Sequence, residues 1–276
     1  MTDENRTIEQ LREQYEIEKE LAGRLRSASR QERRHLYSSL YDELYRRVPH
    51  HPQLTHKASP QEAERVVRAQ MRFLKPFFDK GSNFLEVGPG DCALSFEVAK
   101  FVGQVYAVDV SEEITRSLAR PANFHLILSD GCSIPLPANS VHLAYSNQLM
   151  EHLHPDDAFE QLENIYRALT PGGVYICVTP NRLSGPHDIS SLYDEVAKGF
   201  HLKEYSTSEL NSLFRRVGFS RVRAHIGIKE KYVSLPAFPI GFLETTLDRF
   251  PRAIERRIAR SLLFRPLSDI RLVATK

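Results

Sequence analysis

Apolar residues recur at helical spacing over residues 3–48, at Ile8, Leu11, Tyr15, Ala22 and Leu25, and again at Leu36, Leu40, Leu44 and Val48. This predicts an N-terminal helical extension whose Arg and Glu residues roughly cancel on a solvated face. The stretch VPHHPQLTHKASP breaks the pattern with prolines and polar residues, which puts a boundary there, with the extension over 1–58 and the main domain over 59–276. Ser59, Pro60 and Glu62 have the order of a helix start, and the spacing predicts a helix running to about Asp79.

From residue 83 the pattern changes to short β-rich runs alternating with helical ones: NFLEVG, VYAVDV, FHLILSD, VHLAYSN and GVYICVTP. Such alternation implies βαβ crossovers and a parallel sheet covered by helices on both faces. Two further runs, SRVRAHIG and DIRLVATK, read as the final strands, separated by an insertion over 229–266.

Composition narrows the class. At 276 residues, 41% hydrophobic and 26% charged, the chain has enough apolar material for a sizeable core. Lys plus Arg (37) nearly balances Asp plus Glu (35), a formal charge of +2, so no global field steers nucleic acid and none is expected as a partner. Cys92, Cys132 and Cys177 form no paired framework. With a polar first segment and no apolar run long enough for a bilayer, a cytoplasmic setting is expected.

The first β-rich run ends in a Gly-Pro-Gly turn, within NFLEVGPGDCALS. A turn after a first strand lies at the carboxyl edge of the sheet, where open α/β folds bind ligands. Gly88 and Gly90 let a ligand lie against the backbone, and the next helix offers N–H groups. The turn also satisfies the loose dinucleotide pattern GxGxxA, and Asp109, at the end of the second strand, suits a ribose hydroxyl pair in either case. Three features favour a cationic nucleoside over a dinucleotide. Glu86 places a carboxylate where an ammonium would be attracted and a pyrophosphate repelled. Asp130, followed by Gly131 and Cys132, can meet an adenine-like ring edge. LTPGGVYICVTPN sets a tight turn before the fifth strand.

These residues in this order resemble the class I S-adenosylmethionine-dependent methyltransferases over roughly residues 65–227, through E86-V-G-P-G90, Asp109, D130-G-C, the Glu151-His152 segment and L169-T-P-G-G173. The resemblance implies an α/β Rossmann-like fold: a seven-stranded, mostly parallel sheet with helices on both faces, an antiparallel last strand, the N-terminal extension and a helical insertion before that strand. It implies S-adenosyl-L-methionine as cofactor. Gly88, Pro89 and Gly90 would line its methionine part with Glu86 at the amine, Asp109 and Val110 would be at the ribose, Asp130, Gly131 and Cys132 at the adenine, and Asn147 on the methyl-donor side.

A sulfonium methyl is already activated, so the chemistry asks mainly for an aligned nucleophile, and for a base where that nucleophile carries a proton. YSNQ at 145–148 is not the (D/N)PPY motif of enzymes that methylate exocyclic base amines. SNQLMEHLHPDD is similar to the E-x-x-E-H motif of quinone-pathway and sugar-modifying relatives, with Gln148 replacing the first acid, so no metal is assigned. His152 is the first candidate base, able to titrate near neutral pH. His201, in a segment that resembles those relatives' lid, is the second candidate, with Tyr205 beside it; Asn181 and Arg182 face the expected pocket mouth.

Residues 229–266 hold the positive excess. Leu243, Leu247, Phe250, Ile254, Ile258 and Leu262 fall on one helical stripe with arginines largely elsewhere, and Pro251 would kink the helix or start a second one. Such a segment serves either as a lid packed on the domain or, through 243–265, as a peripheral contact with membrane or lipid. The expected activity is methyl transfer to a small-molecule acceptor, through oxygen. An RNA methyltransferase and a non-catalytic binding protein remain the alternatives, and no oligomeric state follows from the sequence.

Overall fold

A computed structural model describes residues 6–55, 59–111, 118–228 and 231–276. The chain starts with two helices, α1 (Ile8–Ser27) and α2 (Arg30–Arg47). The periodicity over 3–48 ran through their junction, and its residues 3–5 lie outside the described residues. The helices separate because Ser29 caps α2, its side chain taking the Glu32 N–H while Glu32 reaches back to the Ser29 N–H. Thr7 and Gln10 start α1 in the same way. After the short α3 (Pro52–Thr55), Ser59 and Glu62 cap α4 (Pro60–Leu74), whose last turn tightens over Lys75–Phe77.

The α/β core follows as β1 (Asn83–Val87), α5 (Ala93–Val98), β2 (Gln104–Asp109), β3 (Phe124–Leu128), β4 (Val141–Asn147), α6 (Pro155–Ala168), β5 (Leu169–Pro180), α7 (Thr207–Val217), β6 (Arg221–Ile228), β7 (Lys231–Pro236), α8 (Ala237–Leu247), α9 (Arg252–Ala259) and β8 (Asp269–Thr275). Strand order is β3-β2-β1-β4-β5-β8-β6-β7. The first five strands are parallel, and β8 lies antiparallel between β5 and β6. This is the Rossmann-like arrangement with an antiparallel last strand, and its central strands are nearly continuous apolar runs, as a sheet covered on both faces requires.

The sheet has eight strands where seven were expected. The extra one, β7, pairs antiparallel with β6 inside the insertion that was expected to be helical. KYVSLP has the two-residue alternation of a strand: Tyr232 packs on Phe73 with ring centroids 4.4 Å apart, and Ser234 accepts from Arg223, while Val233 and Leu235 are exposed. The helical stripe also divides. Pro251 caps α9 as a second helix, Leu247 packs beside Leu183 and Ala259, and Leu243, Phe250, Ile254 and Leu262 face outward. Lys229 and Glu230, at the start of that insertion, lie outside the described residues.

Each sheet face has its own core. Phe84, Val105 and Leu143 point toward α4 and α5 with Met71, Leu74, Leu94 and Val98. The other face packs on α6 and α7, and its cluster extends to Leu21, Leu25, Leu40 and Leu44 of the N-terminal helices. A buried ion pair fastens that extension. Arg33 of α2 grips Asp157 of α6 through two bonds of 2.6 and 2.7 Å, and the Tyr37 hydroxyl adds a third at 2.6 Å. Among the described residues no helix is long and apolar enough to cross a membrane.

Candidate functional site

The tips of β1, β2 and β4 meet at the carboxyl edge of the sheet. Beyond β1 the chain turns through Gly88 and Gly90, both at positive φ (70° and 58°), which a side chain rarely adopts. A Cβ on Gly88 would press on Leu149 at 3.0 Å, whereas one on Gly90 would meet nothing within 4 Å, so the loop is tight on its inner side and open on its outer side. Pro89 closes the turn, its carbonyl accepting from the Cys92 N–H at 3.0 Å. Cys92 and Gln148, on either side of this loop, also take positive φ (59° and 54°), unusual for side chains of their kind.

Glu86 lies under the loop, 5% exposed, with the Ser95 hydroxyl donating to its Oε2 at 2.6 Å. Burial is the main cause that lifts its carboxyl to about 8, and Asp91 and Asp109 add to it against the Ser95 bond. Unpaired, it therefore holds a proton near neutral pH; a neighbouring ammonium would ionise it. Asp109 ends β2 and accepts from the Val110 and Ser111 N–H groups at 2.7 and 3.2 Å. Burial raises its carboxyl, and those N–H groups with that of Gly90 hold the rise back. Val110 packs partly on the core. Asn147 closes β4 in register with Val178.

Beyond β3 the arrangement is more internal. Asp130 accepts from the Cys132 and Ser133 N–H groups at 3.0 and 2.8 Å, from the Ser133 hydroxyl at 3.1 Å, and pairs with Arg34 of α2 at 3.0 Å. Burial works against its charge, and these donors outweigh it, keeping the carboxyl below its ordinary range. Gly131 turns its Cα toward Tyr37, where a Cβ would meet the ring at 3.0 Å, and Cys132 is fully buried. The loop thus holds its own shape, and a ring edge would share donors and acceptors already in use.

On the other side of the β4 tip, Glu151, His152 and His201 come together; one donor atom from each lies within 4.8 Å of the others, close enough to share a cation. His152 Nδ1 stands 3.1 Å from both the Phe200 carbonyl and the Tyr41 hydroxyl. The carbonyl can only accept, which assigns the proton to Nδ1 and leaves Nε2 with the lone pair. Burial, with His201 adding, pushes this imidazole down to about 3. The shift moves His152 away from the near-neutral titration that its sequence position suggests, although its side chain is 27% exposed. His201 behaves oppositely: burial opposes its charge, but Glu204, at 2.8 Å, and Glu151 raise it.

Glu151 is the residue the sequence reading left without a role. It is fully buried, its Oε2 accepts from Thr179 at 2.8 Å, and its Oε1 has no hydrogen-bond partner. Burial lifts it to about 7. The available signal was an acid directly after a β-rich run, where the chain is still inside the core. Tyr41 was read only as part of a helical extension, and nothing local marked it as a neighbour of His152, 111 residues away.

A cavity of about 390 Å³ opens beside this group, lined by Glu18 and Tyr41 of the N-terminal helices, His152, Asp188, Phe200 and His201 among others. A second, of about 620 Å³, lies between the 196–204 segment and α8–α9, with Arg182, Lys203, Glu209 and Asp248 on its walls. Arg182 pairs there with Asp248 at 2.8 Å, and Asn181 is buried, donating to Glu244. Tyr205 is buried, 3% exposed, with the core cluster around it.

Residues 85–177 match a family model described as a methyltransferase domain. A protein of Mycolicibacterium smegmatis (strain ATCC 700084 / mc(2)155), described as a probable S-adenosylmethionine-dependent methyltransferase, is 29% identical over 140 residues, 50% of this chain and 52% of that one. Phosphoethanolamine N-methyltransferase 1 of Zea mays is also 29% identical, over 118 residues covering 41% of this chain and 23% of that one. The match thus spans about half of the first relative and a quarter of the second. A crystal structure of a SAM dependent methyltransferase from Archaeoglobus fulgidus superposes with a TM-score of 0.54 at 20% identity, covering 87% of this chain and all of that one.

Proposed function

We propose that this chain, a class I S-adenosylmethionine-dependent methyltransferase, transfers the methyl group to an oxygen of a small-molecule acceptor seated in the cavity beneath the N-terminal helices. The observation that carries the reading is the segment that follows β4: Leu149 lies against Gly88 of the glycine turn, and His152, three residues further on, borders the cavity. When bound, the cofactor supplies an electrophilic methyl on a sulfonium. The fit rests on the bare outer side of Gly90, on the buried Glu86 carboxylate, which an ammonium would complete, and on Asp109 at the next strand tip. Asn147, which ends β4, is assigned to the methyl-donor side.

On the acceptor side, a hydroxyl facing Nε2 of His152 would lose its proton as the oxygen attacks. The Nδ1–H bond to Phe200 holds the ring in the tautomer that accepts there. The imidazolium so formed, partly buried beside His201, would be unfavourable; ionised Glu151, 4.0 Å from Nε2, offsets its charge. Glu18 and Asp188 shape the polar end of the cavity, and Tyr41 and Phe200 its aromatic wall.

Incubation with methyl-tritiated cofactor and separate pools of hydroxylated small molecules and total RNA tests this. The expected result is label in the small-molecule fraction, sharply reduced by His152→Ala at unchanged cofactor affinity. Label confined to the RNA pool would replace this reading by the nucleic-acid one.

A further inference from the structure

The insertion presents a surface that the methyl-transfer site does not use. Helix α8 buries Ala237, Ile240, Gly241, Glu244 and Leu247 against the domain and leaves Phe238 and Phe242, one turn apart, 76% and 66% exposed with their rings 6.4 Å from each other. Arg249 follows beyond the same helix. Past α9 the chain exposes Leu262 and Leu263 at 85% and 82%. Large apolar side chains standing this far into water, in one segment, mark an interaction surface.

The charge on this segment is sorted by pairing. Its described acids are buried or paired: Glu244 is buried and binds Asn181 and Thr207, Glu255 is buried against Arg252, and the exposed Asp248 pairs with Arg182. Arg249, Arg256, Arg257 and Arg265 form no ion pair among the described residues and are exposed or partly exposed, so the same segment that exposes these apolar side chains also carries unpaired cations. A second copy of the chain docked face to face would bring these arginines against their own counterparts, a like-charge contact. An anionic surface meets no such penalty, and it accepts both features at once, headgroups at the arginines and acyl chains at the phenyl and leucyl groups.

We infer that the face of α8, α9 and the 260–265 segment docks on the surface of an anionic lipid bilayer. Phe238, Phe242, Leu262 and Leu263 are the inserted groups and Arg249, Arg256 and Arg257 the headgroup contacts. The chain rests on the membrane through this face, with its larger cavity opening next to it between Val196 and Phe250.

Co-sedimentation of the full chain with vesicles of phosphatidylcholine alone, and with 30 mol% (about a third) phosphatidylglycerol added, tests the inference. Binding is expected only to the anionic vesicles, falling as salt rises. Arg256→Glu with Arg257→Glu should lower the partition coefficient at least about tenfold, and Phe238→Ser with Phe242→Ser should lower it about tenfold as well. These positions are surface ones, and unchanged cofactor binding of each variant confirms its fold. Absence of sedimentation with anionic vesicles, equal binding by the charge-reversed variant, or a concentration-dependent dimer that Phe238→Ser dissolves would overturn it.

Discussion

The cofactor edge and the proposed acceptor side are built by different means, although the segment after β4 reaches both. The cofactor edge is local: strand β1, a turn of two left-handed glycines and the acid ending β2 lie within 27 residues, and each part is set by backbone conformation. The acceptor side is assembled from distant pieces. His152 meets Tyr41 from α2 and the Phe200 carbonyl from a loop beyond β5, and α2 is held over them by Arg33, Asp157 and Tyr37. Local backbone requirements leave a mark in sequence; contacts over more than a hundred residues do not. This difference leads to four predictions of decreasing size.

The largest concerns the clamp that makes the acceptor side. Arg33→Ala leaves the Asp157 carboxylate buried and unpaired and should cost about 3–5 kcal/mol of stability in denaturant unfolding. The cofactor edge, which shares no side chain with the clamp, should still bind its ligand. Loss of cofactor affinity in step with stability would mean that the two regions are not separable.

Next is Glu151→Gln, which keeps the shape and the Thr179 contact but removes the charge facing His152. It should lower kcat about a hundredfold with cofactor affinity unchanged. In the native enzyme the rate should rise with pH through about 7, as Glu151 loses its proton, and this rise should vanish in the variant. A pH profile that survives the substitution would assign the proton to another group.

Smaller is Asp109→Ala, expected to weaken cofactor binding by about 1–3 kcal/mol through lost charge-assisted bonds to the ribose, as read by calorimetry. Smallest is Ser95→Ala, which takes away the hydroxyl bond to Glu86 while the Ser95 N–H remains, and should change cofactor affinity by about 1 kcal/mol. A larger loss from Ser95 than from Asp109 would reverse the ranking of these two contacts.

The same contrast explains what could be read in advance. All seven expected strands form where the alternation placed them, and Glu86, the glycine turn and Asp109 meet as their spacing implied. The β7 strand was missed because it follows β6 so closely that its residues read as the start of a helical insertion. The lowered basicity of His152 was not legible because its partner Tyr41 comes from α2, whose periodicity shows that it packs but not on what. Asp130 was expected to face a ligand; the arginine that pairs with it lies about a hundred residues earlier and left no local mark. Glu151 stood beside a named candidate without a role, since only the fold shows that its second oxygen lacks a partner.

The most direct test of the central claim, that the β1 turn and its buried acid hold a positively charged sulfur nucleoside, is the proton count on binding. Glu86, raised from about 4.5 to about 8 by burial, costs the ligand-free fold stability as pH rises across that window, because the fold favours its protonated form. A bound ammonium reverses this preference. Calorimetric titration of S-adenosyl-L-methionine at pH 7 in buffers of different ionisation enthalpy should therefore show the release of most of a proton, and the release should disappear in Glu86→Gln. Binding without proton release, or release that persists in that variant, would contradict the account.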